Sequence, residues 1–75
     1  MQNIPTDLLR TFTKAIDSGS FTRAGDLVGR TPSAISLQIK RLEEIVDVHL
    51  FKRDSRKLLL TPEGKSLAQY ARRIL

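Results

Sequence analysis

Residues 19–42 read GSFTRAGDLVGRTPSAISLQIKRL and contain the signals of two helices with a very short connection. Ser20 is a preferred residue type at a helix N-terminus, and Gly29 suits the left-handed conformation that commonly ends a helix. Soon after that glycine, Thr31-Pro32 combines a capping threonine with a proline at the first helical position. Helices joined by so tight a turn cross steeply, so this segment predicts a helix-turn-helix.

The second of these helices, predicted over residues 31–46, has two chemically different sides. At about 100° per residue, four apolar residues fall close together, which indicates a core stripe: Ile35, Ile39, Leu42 and Val46. The opposite, outward side carries Ser33, Ser36, Leu37 and Lys40. Small hydroxyl side chains let a helix backbone come close to another surface, and the edges of DNA bases are one such surface.

One further helix is predicted before this pair, which makes the short helix after Ser20 the second of the chain and the helix over residues 31–46 the third. The first begins near Thr6, or at Asn3 with Pro5 in its first turn, and ends at Ser18-Gly19. Apolar residues at spacings of three and four form its buried face: Leu8, Leu9, Phe12, Ala15 and Ile16. The short second helix is predicted to bury the stripe Phe21, Ala24, Leu27 and Val28.

The hydrophobic period changes after Asp47. Two short apolar runs, Leu50-Phe51 and Leu58-Leu59-Leu60, flank the basic residues 52–57 and predict a small β-hairpin with a basic tip, the wing of a winged helix. Thr61-Pro62 then repeats the cap-plus-proline start of a helix. The last helix has an apolar stripe at Leu67, Ala71, Ile74 and Leu75, with Tyr70 beside it.

Composition excludes most other classes of protein. A chain of 75 residues makes one small domain with little room for the water-excluding pocket of an enzyme. It has no cysteine and a single histidine, His49, so neither a metal site nor a cofactor is expected, and we predict no enzymatic activity. We see no membrane span and no signal peptide, so a cytoplasmic, nucleoid-associated protein is expected.

The net charge of +5 favours a polyanionic partner. A winged helix that meets an acidic protein through the same surface remains an alternative, and salt-dependent binding to duplex DNA would distinguish the two. RNA is a poor candidate because surface aromatic residues for base stacking are lacking.

Five blocks of residues, in order and at compatible spacing, resemble the N-terminal DNA-binding domain of LysR-type transcriptional regulators. They are Phe12, Gly19-Ser20-Phe21-Thr22-Arg23-Ala24, residues 33–43 (SAISLQIKRLE), Leu50-Phe51-Lys52-Arg53 and Leu60-Thr61-Pro62-Glu63-Gly64. The resemblance covers nearly the whole chain. It implies a mainly α winged helix-turn-helix over residues 1–60, with a three-helix core and a hairpin wing, followed at 61–75 by the start of a linker helix.

The resemblance also implies roles for individual residues in binding double-stranded DNA. Residues expected at base edges or in a groove are Pro32, Ser33, Ser36 and Leu37 in the major groove, and Arg53 of the wing at the minor groove. Residues expected beside phosphates are Ser20, Thr22, Thr31, Gln38, Lys40 and Arg56. Residues expected in a dimer helix are Leu67, Ala71 and Ile74.

The resemblance further implies a homodimer or dimer of dimers, paired through the linker helix, on an imperfect palindrome. It also implies a small-molecule effector that is sensed by a C-terminal domain, which these residues do not include. Three positions depart from the usual family pattern. Gly25 stands where many members have alanine, which costs about 1 kcal/mol of helix propensity. Pro32 stands where many carry a base-reading glutamine, and Asp47 replaces a usual glycine.

Overall fold

The computed structural model describes residues 3–52 and 58–75. Four helices and one two-stranded sheet follow each other as α1 (Thr6–Ser18), α2 (Phe21–Val28), α3 (Pro32–Val46), β1 (Phe51–Lys52), β2 (Leu59–Leu60) and α4 (Pro62–Ile74). The strands are antiparallel, with Phe51 opposite Leu60 and Lys52 opposite Leu59. The predicted winged helix-turn-helix is confirmed.

The helix ends follow the predicted capping chemistry. Ser20, Thr31 and Thr61 each accept a backbone N–H with their hydroxyl oxygen at the start of α2, α3 and α4. Gly19 and Gly29 end α1 and α2 with φ angles of 71° and 73°, where L side chains are strained. For α1 the later of the two predicted starts is observed. The helix begins at Thr6, and Pro5 occupies the N-cap position without a side-chain hydrogen bond.

One core is built from all four helices and the segment before the sheet. Its buried side chains are Leu8, Leu9, Phe12, Ala15, Ala24, Ile35, Ile39, Leu42, Leu50, Ala68 and Ala71. The helices α1, α2 and α3 pack against one another, and α4 packs on α1. The third helix is therefore held from behind, which leaves its other side outside the core.

The buried stripe predicted for α2 is wrong at Leu27, which is 62% exposed. Leu27 lies about 60° around the helix from Ala24, on the side away from Phe21 and Val28. The hairpin is also shorter than predicted, because Leu50 and Leu58 lie outside the two strands. Leu50 instead lies in the core.

Gly25 has a packing role that helix propensity does not show. A Cβ atom at this position would lie 2.3 Å from the carbonyl oxygen of Arg30. The Arg30 N–H donates to the carbonyl oxygen of Gly25 at 2.7 Å. A glycine at residue 25 thus lets the backbone that connects α2 to α3 pass directly over α2.

Candidate nucleic-acid interface

The third helix separates a buried side from an outward side as its sequence predicts. Ile35, Ile39 and Leu42 are buried in the core. The residues predicted at base edges are all exposed: Pro32, Ser33, Ser36 and Leu37. Lys40, one turn beyond Ser36, is exposed as well. The structure therefore brings these five side chains together on one accessible surface, which we call the α3 outer face.

Most side chains of the α3 outer face are short, so a partner surface can approach the helix backbone closely. The hydroxyl groups of Ser33 and Ser36 can each donate and accept a hydrogen bond while keeping the helix backbone close to a partner. Leu37 is 52% exposed and offers an apolar surface of the kind that meets a thymine methyl group. Lys40 adds a positive charge further along the helix.

Two of the predicted phosphate neighbours are helix caps. The Ser20 hydroxyl oxygen accepts from the N–H groups of Thr22 and Arg23 at 3.1 and 3.3 Å. The Thr31 hydroxyl oxygen accepts from the Ala34 N–H at 3.1 Å. In both caps the oxygen is the acceptor, so the O–H proton remains able to donate to a phosphate oxygen. Capping and phosphate contact are thus compatible at these positions.

Gln38 lies closer to the core than a simple phosphate contact requires. Its amide Oε1 accepts from the hydroxyl of Thr11 in α1 at 2.6 Å, and Thr11 is buried. Only the NH₂ group of Gln38 is left to turn outward. Thr11 is not among the residues predicted for the buried face of α1, although its spacing of three from Leu8 and four from Ala15 places it there.

The base of the wing is attached to the core by aromatic contacts. The ring of Phe51 in β1 makes edge-on contacts with Phe12 in α1 and Phe21 in α2, with ring centroids 5.6 and 5.8 Å apart. Lys52, the next residue, is exposed. The predicted groove residue Arg53 and the predicted phosphate neighbour Arg56 lie outside the described residues.

Glu43 is a second residue whose part in the structure the sequence did not reveal. Its Oε2 atom accepts the backbone N–H of Leu50 at 2.7 Å. In the sequence, Glu43 is only part of the run at residues 33–43 that carries the family resemblance. Sequence periodicity does not predict this contact, because it joins a helix to an irregular segment.

Among the described residues, the two shifted pKa values belong to groups away from the α3 outer face. The Arg72 guanidinium in α4 donates to the carboxylate of Asp17 in α1 at 2.6 Å. This hydrogen bond lowers the pKa of Asp17, and the same bond raises the pKa of Arg72. The pair is well exposed and joins α1 to α4, so it bears on the attachment of α4.

The predicted dimer residues of α4 differ in accessibility. Ala71 is fully buried against its own chain, so it is closed to a partner while α4 packs on α1. Leu67 is partly buried and Ile74 is 47% exposed. Tyr70 and Leu75 add further exposed apolar surface.

Within the described residues, no helix combines the length and the apolar character that a membrane crossing requires.

Known proteins with similar sequences are regulators of transcription. A family model described as "Bacterial regulatory helix-turn-helix protein, lysR family" matches residues 6–65. The chain is 46% identical over 74 residues to the HTH-type transcriptional regulator DgdR of Burkholderia cepacia, covering 99% of this chain and 25% of DgdR. It is 47% identical over 62 residues to the glycine cleavage system transcriptional activator of Escherichia coli, covering 83% of this chain and 20% of that protein.

Solved structures include close matches that contain DNA. The BenM DBD/benA site 1 DNA complex matches with a TM-score of 0.89 and 35% identity, covering 95% of this chain and 80% of that chain. Vibrio fischeri DarR in complex with DNA matches with a TM-score of 0.91 and 32% identity, covering 97% of this chain and 25% of that one. The chain spans about a quarter of the length of DgdR. DgdR and the Escherichia coli activator are transcriptional regulators, in agreement with the prediction that the domain is not an enzyme.

Proposed function

Because the chain belongs to the LysR family of bacterial regulatory helix-turn-helix proteins, we propose that it binds double-stranded DNA sequence-specifically as one domain of a longer transcriptional regulator. The observation that carries the proposal is the α3 outer face. A helix with a capped N-terminus and a buried opposite side presents Ser33 and Ser36 to the exterior. That geometry suits entry of the helix into the major groove by its N-terminal half.

The proposed contacts divide into reading and positioning. Pro32, Ser33, Ser36 and Leu37 face the base edges of the major groove, and Arg53 reads the minor groove. The residues that hold phosphates are Ser20, Thr22, Thr31, Gln38, Lys40 and Arg56. Since the reading side chains are short, much of the specificity comes from DNA shape and from the spacing of half-sites.

The proposed assembly is a homodimer, or a dimer of dimers, on an imperfect palindrome. Residues 1–60 form the DNA-binding unit and residues 61–75 begin the linker helix. Leu67 and Ile74 retain surface for a second copy. The complete regulator senses a small molecule through a C-terminal domain and works in the bacterial cytoplasm, on the nucleoid. Sedimentation of the complete regulator tests the assembly, and a monomeric mass for the unaltered protein would contradict it. Ile74→Asp should lower the mass, and an unchanged mass for that variant would show that Ile74 lies outside the dimer contact.

Selection of bound sites from random DNA duplexes tests the function. We expect a selected duplex to bind more tightly than a scrambled one. The logarithm of the association constant should fall linearly with the logarithm of the salt concentration. A Ser33→Ala, Ser36→Ala double variant should lose part of the preference for the selected duplex. Ser66→Ala, an exposed serine in α4, is the matched control and should keep it. Equal affinity of the unaltered protein for selected and scrambled duplexes would refute the proposal.

A further inference from the structure

The peptide groups around Leu50 are held by two helices at once. On one side, the carboxylate of Glu43 in α3 accepts the Leu50 N–H at 2.7 Å. On the other, the N–H of Thr61, which caps α4, donates to the Leu50 carbonyl oxygen at 3.0 Å. The Leu50 side chain is fully buried. The residue immediately before the wing is therefore fixed at its N–H, its carbonyl oxygen and its side chain.

Thr61 extends this attachment to the next peptide group. Its hydroxyl donates to the carbonyl oxygen of His49 at 2.6 Å and accepts from the Gly64 N–H at 2.9 Å. The backbone just before the first wing strand, at His49 and Leu50, is thus hydrogen-bonded to Thr61 at the start of α4. The contact with α3 among these hydrogen bonds is made by Glu43.

Glu43 lies on the same side of α3 as Ser36, one of the proposed reading residues. Ser36 and Glu43 are seven residues apart, which is close to two helical turns, so their side chains point in nearly the same direction. Both line one cleft together with Phe51 and Lys52 of β1. The hydrogen bond from the Leu50 N–H to Glu43 therefore sets the start of the wing at a defined distance from the α3 outer face.

We propose that Glu43 is a positioning residue for DNA recognition, which fixes the wing relative to α3 by holding the Leu50 N–H. The proposal rests on the proposed DNA binding. It explains why an acidic side chain occurs next to a surface that meets a polyanion. Its carboxylate oxygen is committed to the backbone, and a hydrogen bond to an ionised acceptor is shorter and stronger than one between neutral groups.

The sign of the effect distinguishes positioning from simple electrostatics. Removal of a negative charge close to DNA strengthens binding when charge alone matters. Loss of the wing's position weakens DNA binding instead. Glu43→Ala should bind a selected duplex about tenfold more weakly than the unaltered protein, because the buried Leu50 N–H loses its acceptor. Glu44→Ala, the exposed neighbour, is the matched control and should bind equally well or slightly more tightly.

Two conservative variants separate the hydrogen bond from the charge. Glu43→Gln removes the charge and keeps an oxygen that can accept the Leu50 N–H, so it should restore most of the affinity. Glu43→Asp keeps the charge and shortens the reach by one methylene, so it should bind as weakly as Glu43→Ala. If Glu43→Ala does not fold, as judged by circular dichroism, the comparison of the aspartate and glutamine variants decides the question.

A double-mutant cycle with Arg53→Ala tests whether Glu43 acts through the wing. Combined with Arg53→Ala, Glu43→Ala should cost much less affinity than it costs alone, because the wing contact is already lost. Additive losses would overturn the proposal, and so would a Glu43→Gln variant as weak as Glu43→Asp. The complete regulator is used throughout. If the unaltered regulator shows no preference for selected duplexes, the proposed function fails. If it shows that preference and Glu43→Asp binds normally, only the positioning role fails.

Discussion

Gly64 lets α4 start beside the segment that carries the wing. A Cβ atom at residue 64 would lie 2.2 Å from the carbonyl oxygen of Leu50 and 2.9 Å from a methyl group of Leu60. The first contact is to backbone that Thr61 holds by a hydrogen bond, so it cannot move aside cheaply. The family motif at residues 60–64 therefore includes a glycine for a packing reason.

Gly64→Ala should lower the free energy of unfolding by about 1–3 kcal/mol, because a methyl group is forced against fixed backbone. Alanine is the better helix former by about 1 kcal/mol, and this gain should not offset the clash. Urea unfolding measures the change. Ser66→Ala, in the same helix and exposed, is the control and should be neutral or slightly stabilising. A more stable Gly64→Ala variant would show that α4 can shift freely.

Arg53 is predicted to read the width of the minor groove. Arg53→Ala should weaken binding most at sites whose minor groove is narrow and rich in A·T pairs, because the negative potential is strongest there. Dissociation constants for a series of duplexes that differ only under the wing measure this. An equal loss on every duplex would mean that Arg53 contacts phosphate alone.

The end of α3 depends on a residue in an unusual conformation. Asp47 has a φ angle of 57°, the left-handed region that aspartate tolerates better than most residues and glycine adopts without strain. Asp47→Gly should therefore raise the free energy of unfolding by about 0.5–1 kcal/mol. Asp47→Ala should lower it, since alanine strains the same angle without a polar side chain. Urea unfolding of both variants checks the order, which equal stabilities would contradict.

The helical elements could be predicted because their signals are local. Ser20, Thr31 and Thr61 are caps in the structure as in the sequence, and the core stripe of α3 follows from spacing alone. The same periodicity predicted an exposed side with two serines, and the structure places them there. What these residues contact on DNA stays a prediction from the family resemblance.

Contacts between elements could not be predicted in the same way. Periodicity predicts a buried Leu27, but it does not tell how much of a short helix the neighbouring helices cover. The prediction is wrong for that reason. The hydrogen bond between Thr11 and Gln38 joins two helices whose packing the sequence does not specify. The bond from Leu50 to Glu43 depends on the path of an irregular segment, for which no repeating pattern exists.

At the scale of the molecule, the ion pair between Asp17 and Arg72 ties the last helix to the first. The hydrogen bond from Arg72 lowers the pKa of Asp17 from its ordinary value of 3.8. A lowered carboxyl pKa stabilises the fold above the unfolded-state value, and this stabilisation is lost as the pH falls through the folded-state value. Both side chains are about half exposed, so salt should screen the pair.

Arg72→Gln should therefore melt at a lower temperature than the unaltered chain at pH 6 and low salt. The difference should close as the pH falls below 3.8, and it should shrink at high salt. Thermal melts followed by circular dichroism measure it. Arg73→Gln changes the adjacent exposed arginine and is the control. A difference that grows on acidification would contradict the role of the pair.

The ring of Phe51 has a consequence for how the domain comes apart. Its two edge-on partners, Phe12 and Phe21, belong to the first two helices, so the root of the hairpin is built into the hydrophobic interior. Strands of two residues have too little pairing of their own to persist once that interior dissolves. We therefore expect the two strands to melt together with the helices in a single cooperative step, so that unfolding removes both proposed DNA contacts at once.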